Sequence, residues 1–299
     1  MHYTVNQLKP KVYHIAEPMG VCMTLVIGEE KALLLDTGYG TGNLYETVRQ
    51  ITDLPLTVVN SHGHLDHVLG NGYFGEVYLH PADLPLYRQH TSKERKQSFL
   101  NRRLTKPQLF SNDFSPEAFL ADFKTKVIPV EEGAVFDLGG VRLTVIHIPG
   151  HTPGGIALLD DRDRLLLTGD MVSAHIWMFL PESTRIGTCI ESLRKIQQRS
   201  GEYDGIVASH VQDILPNDMV PRLIHCATHI DPDKSVLFES PFDDLEQALM
   251  YYEGLDTLKD ALGMETLDLA VQPFHTLDLG KLDFSKVTFV SIAYDETKL

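Results

Sequence analysis

The stretch Ser61-His62-Gly63-His64-Leu65-Asp66-His67-Val68-Leu69-Gly70 constrains this chain more than any other. It places three histidines and one aspartate within six residues, directly after the β-branched run Leu56-Thr57-Val58-Val59-Asn60. Imidazoles and carboxylates crowded together and buried cost free energy unless something pairs them. A divalent cation is the obvious pairing. His62 and His64 alternate by one residue, so an extended or turning backbone points both to the same side. Asp66 and His67 fall at the expected start of a helix, where they can face a second cation beside the first. The competing reading, a His-rich surface loop, leaves the crowding unexplained.

A cation needs ligands from elsewhere in the chain, and three candidates stand at the ends of later strands. His151 sits in Pro149-Gly150-His151-Thr152-Pro153-Gly154, after the alternating run Val141 to Ile148. Asp170 ends Leu165-Leu166-Leu167-Thr168-Gly169-Asp170, and His210 ends Gly205-Ile206-Val207-Ala208-Ser209-His210. Each follows a short apolar run and opens a loop, which is where a rigid scaffold presents functional groups. Seven ligands at the mouths of several strands make a two-metal inventory.

The ordered set His62-x-His64-x-Asp66-His67, then His151, Asp170 and His210, resembles the metallo-β-lactamase-fold hydrolases with every ligand position filled. Asp36-Thr37-Gly38, after the strand Ala32 to Leu35, is similar to that family's first motif, and the resemblance runs from about Val12 to His210. It implies an α/β fold, a four-layer αββα sandwich with the site at one edge. It also implies that His62, His64 and His151 bind one ion, that Asp66, His67 and His210 bind the other, and that Asp170 bridges both. Asp36 would orient a ligand imidazole. The implied cofactors are two divalent ions, zinc first, with manganese or iron as substitutes.

A formal charge of −15 disfavours nucleic-acid binding through a broad basic surface, although bound cations would offset it locally. No run approaches transmembrane length, and Met1-His2-Tyr3-Thr4-Val5 has no secretory pattern. Cys22, Cys189 and Cys226 are scattered and odd in number, so a disulfide framework is not expected. These features point to a cytoplasmic protein that acts on a small molecule, with neither nucleic acid nor membrane as partner, and a homodimer remains open.

Residues 1–230 are expected to form the catalytic domain, with 231–299 an extension packed on it. Within the former, 81–125 reads as a helical insertion and, by the resemblance, a cap over the site. It carries Arg88, Lys93, Arg95, Lys96, Arg102, Arg103 and Lys106, interleaved with Phe99, Phe110, Phe114 and Phe119. Two readings stand for it: a cationic wall for an anionic substrate, or a solvated amphipathic helix, which is favoured. Met171 to Leu180 reads as a bulky apolar loop leaving the metal site, with Ser173, His175, Trp177 and Phe179 as candidate pocket residues. Ordinary core or a dimer contact is an equal alternative for that stretch. His80 reads as a strand-end histidine and His147 as structural or metal-supporting. His225 and His229 stand four apart without an evident acidic partner, and read as surface residues. Helices are expected at 43–51, 188–199, 218–230 and 245–251, and strands at 267–272 and 287–294.

In mechanism, two cations bridged by Asp170 would share a hydroxide that attacks an electrophilic carbonyl or phosphorus, with Asp66 placed to accept or relay a proton. A small ester, lactone or thioester is the expected substrate of this binuclear hydrolase. An aspartate at position 170 argues against β-lactam cleavage, and Ser173 stands where lactonases of this fold carry an assisting tyrosine. The rival is a mononuclear iron persulfide dioxygenase built on His62, His151 and Asp170. A phosphodiesterase is a further alternative.

Overall fold

A computed structural model describes residues 2–240, 248–269, 277 and 282–299. Among them, the first seven strands make one mixed sheet in sequence order. They are β1 (Thr4–Lys9), β2 (Val12–Ala16), β3 (Cys22–Ile27), β4 (Ala32–Leu35), β5 (Leu56–Val59), β6 (Glu76–Leu79) and β7 (Lys126–Pro129). The second sheet is built from β8 (Val135–Asp137), β9 (Arg142–His147), β10 (Ile156–Asp160), β11 (Leu165–Gly169), β13 (Gly205–Ala208) and β14 (Leu215–Pro216).

Side-chain alternation explains why these sheets stack face to face. In β4, Leu33 and Leu35 join one apolar cluster while Ala32 and Leu34 join another. In β10 and β11, Ile156, Leu158, Leu165 and Leu167 enter the cluster of Leu33 and Leu35, whereas Ala157, Leu159 and Leu166 point away from it. A strand whose both faces are apolar must be covered on both. One face of each sheet therefore meets the other sheet, and the outer faces take helices. Against the first sheet lie α1 (Leu44–Arg49), α4 (Lys93–Arg103) and α5 (Pro116–Leu120). The short α2 (Leu65–Val68) and α3 (Leu84–His90) sit beside its edge, in contact with each other. Against the second sheet lie α6 (Ile186–Gln198) and α7 (Met219–Thr228). The apolar stripe of α6, Ile186, Cys189, Leu193 and Ile196, keeps the three-to-four spacing of a half-buried helix. The result is the αββα sandwich expected from the sequence.

The C-terminal region differs from expectation. Residues 171–180 are not all loop: His175–Met178 form β12, which pairs in parallel with β17 (Val290–Tyr294). Their strand character depends on a partner more than a hundred residues away, which no local pattern reveals. Together with β15 (Val236–Phe238) and β16 (Ala248–Glu253) these strands make a third sheet, in the order β12-β17-β16-β15. The helix expected at 245–251 is thus overturned where it can be seen. β16 is rich in tyrosine and pairs on both sides, and tertiary pairing outweighs a weak helical pattern; residues 245–247 lie outside the described residues. Leu267–Leu269, expected in a strand, are irregular, and the rest of that stretch, 270–272, also lies outside them. A last helix, α8, spans Leu255–Ala261. The third sheet shares one apolar cluster with α6 and α7. All three cysteines are buried free thiols, and no helix of the described residues is long and apolar enough to cross a membrane.

Leu33 is fully buried in the cluster between the two sheets. Leu33→Ala is expected to destabilise the fold by about 2–5 kcal/mol, read from the urea midpoint, while Val135→Ala at an exposed position stays within about 0.5 kcal/mol of the parent.

Candidate metal centre

Every ligand candidate follows the carboxyl end of a strand. The 61–67 segment leaves β5, His151 follows β9, Asp170 follows β11 and His210 follows β13. Parallel pairing of β4 with β5, and of β11 with β13, brings those ends to one edge of the sandwich. Gly169 makes the turn into Asp170 with φ of 56°, and a Cβ there would lie 2.3 Å from Ser61 Oγ. Only glycine fits both demands.

Hydrogen bonds on the outer side of each imidazole fix what faces inward. Ser61 Oγ donates to Asp36 Oδ2 (2.7 Å), so it accepts from His62 Nδ1 at 2.9 Å. His64 Nε2 donates to Glu182. His151 Nδ1 donates to the Trp177 carbonyl at 2.6 Å, and His67 Nδ1 donates to Asp36 Oδ2 at 2.8 Å. A neutral imidazole that donates from one nitrogen holds a lone pair on the other. Three such lone pairs converge, because His64 Nδ1 lies 3.0 Å from His62 Nε2 and 2.9 Å from His151 Nε2. Burial, reinforced by His67 and His64, pushes the His62 imidazole well below its ordinary range, and burial with His64 brings His151 down to about 4. Neutral lone pairs facing one point repel unless a cation lies between them, and this donor set suits one.

The second group has a different charge pattern. His67 Nε2 lies 3.6 Å from Asp66 Oδ2 and 3.4 Å from Asp170 Oδ2; His210 Nε2 lies 3.5 and 3.2 Å from the same two oxygens. Four ligands about 2.0–2.2 Å from a tetrahedral ion stand roughly 3.3–3.6 Å from one another. The spacing therefore matches a coordination shell better than a set of hydrogen bonds. His67 Nε2 and Asp170 Oδ1 are buried with no hydrogen-bond partner. Burial opposes charge on His67 and His210, yet the aspartates hold His67 well above its ordinary range and His210 at about 10. His210 keeps 41 % of its side chain open to solvent, which weakens that pull. Burial likewise opposes charge on Asp66 and Asp170, and the facing imidazoles keep both carboxyls well below theirs. Asp170 Oδ2 also lies 3.8 Å from His151 Nε2, so one oxygen faces both groups.

Three supporting residues escaped the sequence reading. Glu182 anchors His64 from a loop 118 positions away. Asp83, fully buried, accepts from Gly63 N (2.8 Å), Thr152 Oγ1 (2.8 Å) and Gly154 N (2.5 Å), and so clamps two ligand loops together. His90 Nδ1 accepts from Leu65 N at 3.0 Å, and its ring stacks on His64 at 5.3 Å. No local motif marks them, because each acts through a contact made only in the fold.

The pocket candidates are distributed. Trp177 reaches the centre through its carbonyl, while its ring packs with Phe179 and Phe238. His175 is held by Ser291 Oγ at 2.8 Å, and Ser173 is buried. His80 stacks on His147, away from the ligand groups. Within the basic insertion, Lys96 does not belong to any cationic wall: it is fully buried, with Nζ donating to the Ala121 carbonyl at 2.5 Å and lying 4.4 Å from the Phe123 ring. Nor is α4 a merely solvated helix, because Phe99 and Leu100 enter the core.

A two-sheet sandwich carrying a buried His/Asp cage at the ends of its strands defines a class of metal-binding α/β proteins. The chain belongs to the Metallo-beta-lactamase superfamily, whose sequence model matches residues 17–210. The acyl-coenzyme A thioesterase MBLAC2 of Gallus gallus is 31% identical over 157 residues, covering 50% of this chain and 56% of that protein. The hydroxyacylglutathione hydrolase GloC of Haemophilus influenzae is 29% identical over 157 residues, covering 50% of this chain and 66% of its own length. The matches thus span less than two thirds of these relatives. A solved metallo-beta-lactamase from Pontibacter korlensis superimposes with a TM-score of 0.53 at 17% identity, over 76% of this chain and all of that one, a likeness of fold.

Replacing Glu182 by Gln leaves a hydrogen-bonding side chain but removes the charge that orients His64. We expect metal affinity to fall about 10–100-fold with an unchanged circular dichroism spectrum. Unchanged affinity in a metal-buffered titration would show that Glu182 does not position His64.

Proposed function

We propose that this chain is a binuclear metal-dependent hydrolase of acyl thioesters whose thiol half is anionic. The observation that carries the reading is the position of Asp170 Oδ2, which lies 3.2, 3.4 and 3.8 Å from imidazole nitrogens of His210, His67 and His151. The His62/His64/His151 and Asp66/His67/His210 groups would each hold an ion, with Asp170 facing both. Zinc suits these nitrogen and carboxylate donors, and manganese or iron are the substitutes. When bound there, a pair of divalent ions supplies an acidified water as nucleophile and positive charge against the oxyanion that forms at the acyl carbon.

The residues themselves do the rest. Asp66, with Oδ2 3.6 and 3.5 Å from the Nε2 atoms of His67 and His210, is the carboxylate we assign to accept a proton in the reaction. Asp36 holds His67 directly and His62 through Ser61. Arg103 and Arg95 add positive charge near Tyr39 and near His90, whose ring stacks on His64. Both arginines are half-buried on α4. They support an anionic thiol as leaving group, and the names of the two relatives support a thioester as the bond cleaved. Three buried thiols with no disulfide fit a reducing, cytoplasmic compartment. The second ligand group, complete beside the first, favours this reading over an oxidative enzyme built on one iron.

Protein purified without added metal is expected to carry about two zinc or manganese per chain and to release thiol from acyl-coenzyme A or acylglutathione esters. Asp170→Ala should lower that release by at least about 10²–10³-fold and lose metal while remaining folded. About one iron per chain, with persulfide-dependent oxygen uptake and no thiol release, would establish the dioxygenase instead.

Arg103→Ala is expected to raise KM for the acyl-coenzyme A ester about tenfold, the worth of one charged contact, with kcat and the KM of a neutral aryl ester unchanged. Equal effects on both substrates would remove Arg103 from leaving-group recognition.

A further inference from the structure

A third group of ligand side chains lies on elements separate from those of the metal centre. His225 is in the last turn of α7, His229 follows that helix, and Glu253 ends β16. The helical spacing puts both imidazoles on one face, with ring centroids 4.0 Å apart. Contrary to the sequence reading, an acidic partner is present: Glu253 Oε1 stands 3.5 Å from His225 Nε2. One ligand atom from each of the three residues falls within 4.8 Å of the other two.

Two details favour an ion over simple pairing. The 3.5 Å separation of His225 and Glu253 is too long for a hydrogen bond, but close to the roughly 3.3–3.5 Å that separates two ligands of one tetrahedral ion. His229 Nδ1 donates to the His225 carbonyl at 2.8 Å and also lies 3.2 Å from Thr228 Oγ1. That bond fixes the tautomer and leaves the lone pair on Nε2, the arrangement in which a ligand imidazole is held from behind by a carbonyl. The buried residues of α7, Met219, Val220, Leu223, Cys226 and Ala227, face the core, so the two histidines lie on its outer face, with His225 exposed over 60 % of its side chain.

We propose that His225, His229 and Glu253 form an additional site for a divalent transition-metal ion, zinc by its donor set, with the fourth position open to solvent. An ion there ties the end of α7 to the end of β16, and so fastens the third sheet to the helix that covers the second. Its role is structural and does not depend on the reaction proposed above.

The test is a titration of zinc chloride into the holo-protein, after dialysis has left the principal centre filled, followed by isothermal calorimetry and by thermal unfolding. The parent chain is expected to take up about one further zinc and to gain about 2–6 °C in Tm. Glu253→Gln and His229→Ala each remove one ligand without touching the principal centre. Both are expected to bind that zinc at least about tenfold more weakly and to lose the gain in Tm, while the metal already bound stays unchanged. Equal uptake by parent and variants, or no uptake by the parent, overturns the site. Native circular dichroism before zinc is added separates loss of the ligand from loss of the fold, and His225→Ala provides a second variant if either of the others unfolds.

Discussion

The buried carboxylate of Asp36 is the constraint on which the centre depends. A charge without access to water is tolerated only when donors surround it. Here Ser61 N donates to Oδ1 at 2.7 Å, and Ser61 Oγ and His67 Nδ1 donate to Oδ2. Asp36 also has φ of 67°, a left-handed conformation that costs a non-glycine residue about 1–3 kcal/mol and persists where the surroundings over-determine it. The surroundings do so because Asp36 follows β4 while Ser61 follows β5, and the parallel register of those strands sets their spacing. One carboxylate thus aligns His67 directly and His62 through a hydroxyl, and reaches both ligand groups at once.

The sandwich contributes rigidity where the ligands leave it. Strand ends in a core packed on both faces have little freedom, so short loops inherit their geometry. The loops are then fastened to one another. Asp83, from the helical insertion, joins the 61–67 loop to the 149–154 loop through three donors. A second buried network, in which the Thr37 amide and Asn60 Nδ2 donate to the His67 carbonyl and Thr37 Oγ1 donates to Asn71 Oδ1, pins the end of α2. Such networks rigidify when every member is satisfied. The insertion thereby supports the centre as well as flanking it.

Much of this was legible in the sequence for a physical reason: the ligands sit next to elements whose patterns are local. The spacing of His62, His64, Asp66 and His67, and the apolar runs before His151, Asp170 and His210, required no knowledge of the fold. What escaped the sequence was non-local. Glu182 and Asp83 are ordinary acidic residues until the chain brings them to His64 and Gly63. The strand at His175–Met178 exists because Val290–Tyr294 lies beside it. Glu253 meets His225 only when β16 packs near α7. Lys96 looked like part of a basic surface, but its aliphatic stem and ammonium are buried against Ala121 and Phe123, a use of lysine that composition does not reveal.

The charge of the chain sharpens the functional reading. A net charge of −15 repels a polyanion at long range, yet ions in solution screen such fields over about 8–10 Å. Closer in, the local groups decide. The proposed centre concentrates positive charge at the acyl carbon, and the half-buried guanidinium groups of Arg95 and Arg103 lie on the helix that runs past His90 and Tyr39. Arginine suits such a rim because its planar fork pairs with phosphate or carboxylate and cannot lose its proton. On the proposed reading, the anionic half of the thioester would lie toward α4 and its acyl carbon toward the two ligand groups.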